Sequence, residues 1–381
     1  LESHRNPGKA WRYQPRDKDN DLSLTTWCVM ACMAGVHAGL EVRSETVSEA
    51  LAWAEGVTTI SSGHCGYTGR GQTSARMAGD FQARFPPEAT AALTAAGMNM
   101  RALAGLSHGG ALDKAAAELV LQKPPTFASK AVEAYYWFHG SEAMAALPDR
   151  AASRRWFAAL DPVLLGAQRD KGSERGSWDP SGPWGTCGGR VYSTAMAVLA
   201  LSSRYRLGTG DLAMVLPDEE PFRGVFRQWR GGKIGAALEE LDAIDAATLT
   251  PPQLAVVARA RRCARVQLHA CERITLDQNT LYPDAMERQQ RLEELAESYA
   301  DTAPGKELAA SLARMLDDPR MRAEITAAKK LESITGKLDK SRLPTSKGKR
   351  SSLRKSLEKL IKAYPETEAA KAAGGWLVLL K

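Results

Sequence analysis

The chain has 381 residues, enough for two or three domains and a sizeable buried core. At 44% hydrophobic and 25% charged residues its composition is that of an ordinary globular protein, and it points neither to a disordered chain nor to a multi-span membrane protein. The net charge of +7 is unevenly placed: residues 325–362 hold twelve Lys or Arg against three Asp or Glu, which leaves the rest of the chain at −2.

In chain order, the hydrophobic periods predict two kinds of helix. Those at 22–40, 88–105, 129–147 and 190–206 are apolar nearly all round and full of Ala, Gly, Ser and Cys, so they need cover on most sides. Residues 22–40 hold no Asp, Glu, Lys or Arg, but their Ser, Thr, Ala, Cys and Gly content reads as a buried helix and not a membrane span. Between them, helices at 44–55, 110–122 and 151–169 carry charges on one face, among them Glu45, Glu49, Lys114, Glu118, Arg154 and Arg155, and are expected to face water. Strict alternation of the two kinds predicts a two-layered wall, each apolar helix sheathed by the charged one that follows.

Residues 208–221, rich in Gly, Asp, Glu and Pro, read as a linker between a domain at 1–207 and a helical scaffold domain at 222–381. The second region predicts amphipathic helices at 233–247, 251–276, 283–301, 305–315, 321–337, 350–363 and 366–380, with no catalytic motif. Its Lys/Arg run is read as a solvated helix face, and nucleic acid is not expected as a partner. The six cysteines form no dense framework; Cys28 with Cys32 and Cys263 with Cys271 fall on single helical faces, as small core residues do. The chain opens at Leu1 with no signal-peptide pattern, so it is expected to be a portion of something longer, and its compartment is unknown.

Three loops repeat one chemistry of glycine plus aromatic: Gly8 to Tyr13, Gly63 to Tyr67, and Gly176 to Pro180. Together with Gln168, Gly176 and Trp178, the run Tyr135 to Gly140, and Gly188 to Ala195, they resemble the prenyltransferase and squalene-cyclase repeat family, and most of all its planctomycete-type bacterial branch. The resemblance covers about residues 8–208 and implies an α/α toroid. A closed toroid of that family has about six helix pairs and this chain about three and a half, so the ring is expected to be partial and open on one side. Lys362 to Ala370 similarly resembles the helical hairpins of tetratricopeptide-like scaffolds.

The resemblance also nominates site residues. Asp19 and Asp21 stand where cyclases of the family carry an Asp-x-Asp-Asp acid, but Leu22 occupies the last position; the competing reading is that Asp21 caps the helix that follows. Trp11, Tyr13, Tyr67, Tyr135, Tyr136, Trp137, Trp178 and Tyr192, with Trp27, either line a cavity or pack the loops. Arg190 either bonds loop groups or faces an anionic ligand. No metal or other cofactor is expected: His64, Cys65, Asp179 and Cys187 lie in marker loops, but their spacing is not that of the related zinc enzymes. The reading is a binding or structural module of a larger bacterial protein, with an isoprenoid, another apolar ligand or a protein as partner. The alternatives are a terpene-cyclase-like or prenyltransferase-like enzyme acting on an isoprenoid, and a basic scaffold that binds nucleic acid or acidic partners.

Overall fold

The computed structural model describes residues 1–127, 129–206, 216–336, 338, 344 and 346–380. Among these the chain is all-α, with sixteen α-helices, no β-strand and one isolated bridge between Thr58 and Cys65. The first region contains α1 (Leu22–His37), α2 (Ser44–Gly56), a single turn α3 (Phe81–Arg84), α4 (Ala92–Leu103), α5 (Ala111–Leu121), α6 (Ala134–Ala146), α7 (Arg150–Ala167) and α8 (Gly182–Arg206).

The expected layering is present. α1 packs on α4, α4 on α6 and α6 on α8, forming one row, while α2, α5 and α7 lie behind it. α6 buries eleven of its thirteen residues and α4 ten of its twelve, which is why neither carries a polar stripe. Small residues set the distance between layers: a methyl on Gly140 of α6 would lie 2.5 Å from the indole of Trp156 on α7. Trp156 is fully buried there, donates to Ser141 Oγ at 3.0 Å and meets Tyr136 edge-on.

Several boundaries differ from the periodicity, each for a local reason. The helix expected at 88–105 starts at Ala92, after a 3-10 turn at Pro87–Ala89, because Thr90 between them is extended, with its hydroxyl donating to Glu133 Oε2 at 2.6 Å. The helix expected at 190–206 begins at Gly182 and is broken at Gly189, whose φ of +63° suits glycine. It is also not covered all round: Val191 (82% exposed), Val198 and Tyr205 (81% exposed), seven residues apart, form a free stripe at the end of the row.

The second region contains α9 (Arg223–Arg230), which the periodicity missed, then α10 (Ile234–Ala243), α11 (Pro251–Leu281), α12 (Ala285–Ser298), α13 (Ala303–Asp317), α14 (Pro319–Thr335), α15 (Lys347–Ala363) and α16 (Glu368–Leu379). From α12 onward each helix packs on the next, and α14 also touches α12 and α16, a helical-repeat pattern. The 31-residue α11, started by a Thr250/Gln253 capping box with proline at its first position, lies along α2. This corrects the expectation that α2 faces water. One apolar cluster accordingly runs from Trp11, Leu51 and Met100 to Cys263, Leu292 and Ile325, so the two regions share a core across the expected linker. Of that linker, residues 208–215 lie outside the described residues. No helix among the described residues is long and apolar enough to cross a membrane. Five of the cysteines are buried and Cys187 is exposed; all six are free thiols.

Candidate functional site at the head of the inner row

Asp21 is fully buried at the N-terminus of α1. Its Oδ1 accepts the Leu24 N–H at 2.8 Å, which makes it the helix cap, while Oδ2 makes no hydrogen bond and lies 3.8 Å from Arg12 Nε. Burial raises its pKa, against the opposing pull of the Leu24 N–H, the Arg12 guanidinium, the Ser23 N–H and the nearby Tyr67 hydroxyl. Asp19 does not join it: its carboxylate is largely exposed and sits 3.5 Å from Arg12 Nη1. Two carboxylates sharing one proton, the arrangement an acid of the cyclase kind needs, are therefore not assembled here.

The tyrosines divide. Tyr67 is half-buried under the Arg12 guanidinium, 5.9 Å from its ring centroid, whereas Tyr13 is 66% exposed. Tyr135, buried, accepts from Ser23 Oγ at 3.0 Å, and Tyr192 lies beside it, so both sit near the head of α1. Burial pushes the phenols of Tyr67, Tyr135 and Tyr192 well above the usual range. Tyr136 faces the outer layer, donating to the Val120 and Lys123 carbonyls at 2.8 Å each. Trp137 is buried against Phe127.

Several of the aromatics expected to line a pocket pack on one another. Trp27 of α1 reaches past α4 to α6, stacking on Phe138 at 5.4 Å and 7° and meeting Tyr135 and His139 edge-on. A cavity of about 100 Å³ lies instead at the start of α4, lined by His64, Gln72, Ser74, Thr90, Leu93 and Lys123 among others. None of the expected aromatics lines it, and it is well below the roughly 300 Å³ at which pockets for drug-sized ligands begin.

The marker loops act as stitches. Trp11 N–H donates to Thr25 Oγ1, Cys65 N–H to Thr94 Oγ1 and Trp178 N–H to Thr194 Oγ1, each at 3.2 Å. Each acceptor is a threonine of an inner helix, Thr25 and Thr94 in the first turn or so of α1 and α4 and Thr194 five residues past the break at Gly189 in α8, so three loops use one device. Trp11 and Trp178 are buried, with their indoles donating to the Leu1 and Leu164 carbonyls. Gln168 Nε2 donates to Gly176 O at 2.9 Å. Arg190 bonds Asp179 at 2.7 Å, Ser177 at 3.1 Å and Glu174 at 3.0 Å, so its charge is spent on its own loop.

The metal candidates are not brought together. Cys65 is buried beside Thr58, Asp179 is held between Arg169 and Arg190, and Cys187 contacts Met77. Among the described residues no three His, Cys, Asp or Glu converge as a metal-binding group. Gly63 is needed for another reason: its φ is +73°, and a methyl there would lie 2.3 Å from the Ala116 backbone nitrogen. Gly63→Ala is expected to lose about 1–3 kcal/mol, read as a lower urea midpoint at unchanged slope.

Two buried polar clusters carry no sequence signal of the kind used above. His139 and Asn99 meet at 3.1 Å between α6 and α4, and Glu55 pairs with Arg291 between α2 and α12. No protein-family model, curated protein or solved structure matches the chain.

Proposed function

We propose that residues 8–208 are a partial α/α toroid of the prenyltransferase and squalene-cyclase repeat kind, serving as a binding or structural module of a larger bacterial protein and not as a cyclase. The repeat reading is supported by the three loop-to-threonine bonds, which use one device at the heads of α1 and α4 and just past the break in α8. The observation that carries the non-catalytic reading is Trp27: its stack on Phe138 and its edge contacts to Tyr135 and His139 engage the rings that an isoprenoid would need. The same rings that would stabilise a carbocation are thereby satisfied by one another.

Asp21 separates this reading from the enzyme. As a cap it needs one acceptor oxygen, which asparagine supplies equally well, so Asp21→Asn is expected to change stability by less than about 1 kcal/mol. As a proton donor to an alkene it would be irreplaceable. The wild type and Asp21→Asn are incubated with squalene and with geranylgeranyl diphosphate, and the extracts are analysed by gas chromatography. The module reading expects no cyclised product from either protein; a product made by the wild type and lost in Asp21→Asn overturns it.

A further inference from the structure

We infer that the exposed cationic face of α15, with Lys330 of α14 beside it, is a docking surface for the phosphate backbone of a nucleic acid. This does not rest on the toroid reading, since it concerns the other end of the molecule.

The 17-residue α15 carries Lys347, Lys349, Arg350, Arg354, Lys355, Lys359 and Lys362, all exposed, against the single acid Glu358. Among the described residues none of the seven forms an ion pair; Arg350 and Arg354 bond only the Pro344 and Leu380 carbonyls. Exposed arginines elsewhere do find acids, as Arg261 finds Asp242 and Arg314 finds Glu307. On α14, Lys330 bonds the Tyr364 hydroxyl at 2.7 Å, which places it at the C-terminal end of α15. Among the described acids near this face, Glu324 is turned to the N-terminus of α16, where it accepts from the backbone of Glu368 and Ala369, which leaves Glu332, Glu358 and Glu366. Glu358 stands three or four residues from Arg354, Lys355 and Lys362, but one acid against seven bases leaves the helix at +6, so most of its like charges are unrelieved.

The chemistry of the face selects the partner. Its apolar stripe, Leu353, Leu357 and Leu360, is sealed against Ala370, Ala373 and Trp376 of α16, so the helix has nothing to insert into a bilayer. The outward side offers no apolar or aromatic group to form the dry centre of a protein–protein interface, from which lysine is normally depleted. What it offers is lysine-rich positive charge in line. Lys355, Lys359 and Lys362, four and three residues apart, span about 11 Å of helix, over which one strand of a duplex presents about three phosphates. Flexible ammonium groups suit contacts that follow phosphates without reading bases.

The test measures fluorescence anisotropy of a labelled 20-nucleotide RNA and a labelled 20-base-pair DNA with the whole chain, from 50 to 300 mM KCl. Binding to either is expected to weaken with salt, with a log–log slope of about −4 to −6. Lys355→Gln, Lys359→Gln and Lys362→Gln together should flatten that slope by about three and weaken binding at 100 mM salt by about tenfold or more. A control removing equal charge from exposed sites on α5 and α7, Lys114→Gln with Arg154→Gln and Arg155→Gln, should bind as the wild type does. Absence of binding at 50 mM KCl, or equal loss in both triple variants at unchanged melting temperature, overturns the proposal. So does stronger competition by poly-glutamate or by phosphatidylserine vesicles than by unlabelled nucleic acid, which would assign the face to an acidic protein or a membrane.

Discussion

Replacing Arg291 by methionine is expected to destabilise the chain by about 3–5 kcal/mol, the cost of leaving a buried carboxylate without its counter-charge. Arg291 and Glu55 are each about 2% exposed and are joined at 2.6 and 3.1 Å, with the Tyr282 hydroxyl donating to the same carboxylate at 3.0 Å. Burial pushes the Glu55 pKa up, but the Arg291 charge and hydrogen bonds outweigh it and hold the carboxyl below its usual range. Arg291 also lies 3.3 Å from Glu294, whose own pKa is raised by burial. Because the pair joins α2 to α12, its loss acts on the seam between the two regions. The double variant Glu55→Gln with Arg291→Met should recover much of the loss, since it removes the unpaired charge as well as the pair. Urea unfolding of the single and double variants measures both terms. A single variant within 1 kcal/mol of the wild type would show that water reaches the Glu55 carboxylate.

That pair also shows where reading the sequence stops. The row α1, α4, α6 was legible because a helix with small and apolar residues on every side states its own burial within a dozen positions, as α4 does from Ala92 to Arg101. The marker loops were legible as repeats, and the threonines that anchor them, Thr25, Thr94 and Thr194, stand at matching places in the helices that follow; that signal was present and unread. Glu55 offered no such cue. On a helix whose charges at 45 and 49 suggest a wet face, a third glutamate looks like more of the same, and its partner lies 236 residues away. The cover supplied by α11 turns that face inward, and only the tertiary packing reveals it. Trp27 is a similar case: spacing placed it on an inner helix, but whether its ring lines a cavity or fills one depends on Phe138 and His139 of a helix two places along the row.

His139 lies within the same aromatic cluster, against Trp27, Tyr135 and Phe138, and it makes the strongest prediction about pH. It is fully buried, and its Nδ1 is 3.1 Å from Asn99 Nδ2. With Nδ1 accepting from the Asn99 amide, the neutral ring carries its proton on Nε2, which is buried without a hydrogen-bond partner. Burial alone lowers the pKa to about 3. A histidine depressed in this way contributes stability that is intact above the unfolded pKa of about 6.5 and is lost as pH falls, because the unfolded chain takes up a proton that the folded chain refuses. The loss runs at up to about 1.4 kcal/mol per pH unit, or about 3 kcal/mol between pH 7 and pH 4. His37, His64 and His108 are depressed by burial in the same direction, so the total slope is shared among several groups. His139→Gln isolates its own part: it keeps an acceptor for Asn99 and removes the titration, so the wild type should lose stability relative to it by about that amount over the interval. Urea midpoints at half-unit pH steps give the difference, and the ring proton shifts of His139 in the folded protein give the pKa directly. A folded-state midpoint near 6.5 would mean that water enters between Trp27 and α6, and the aromatic cluster would then have to be regarded as open.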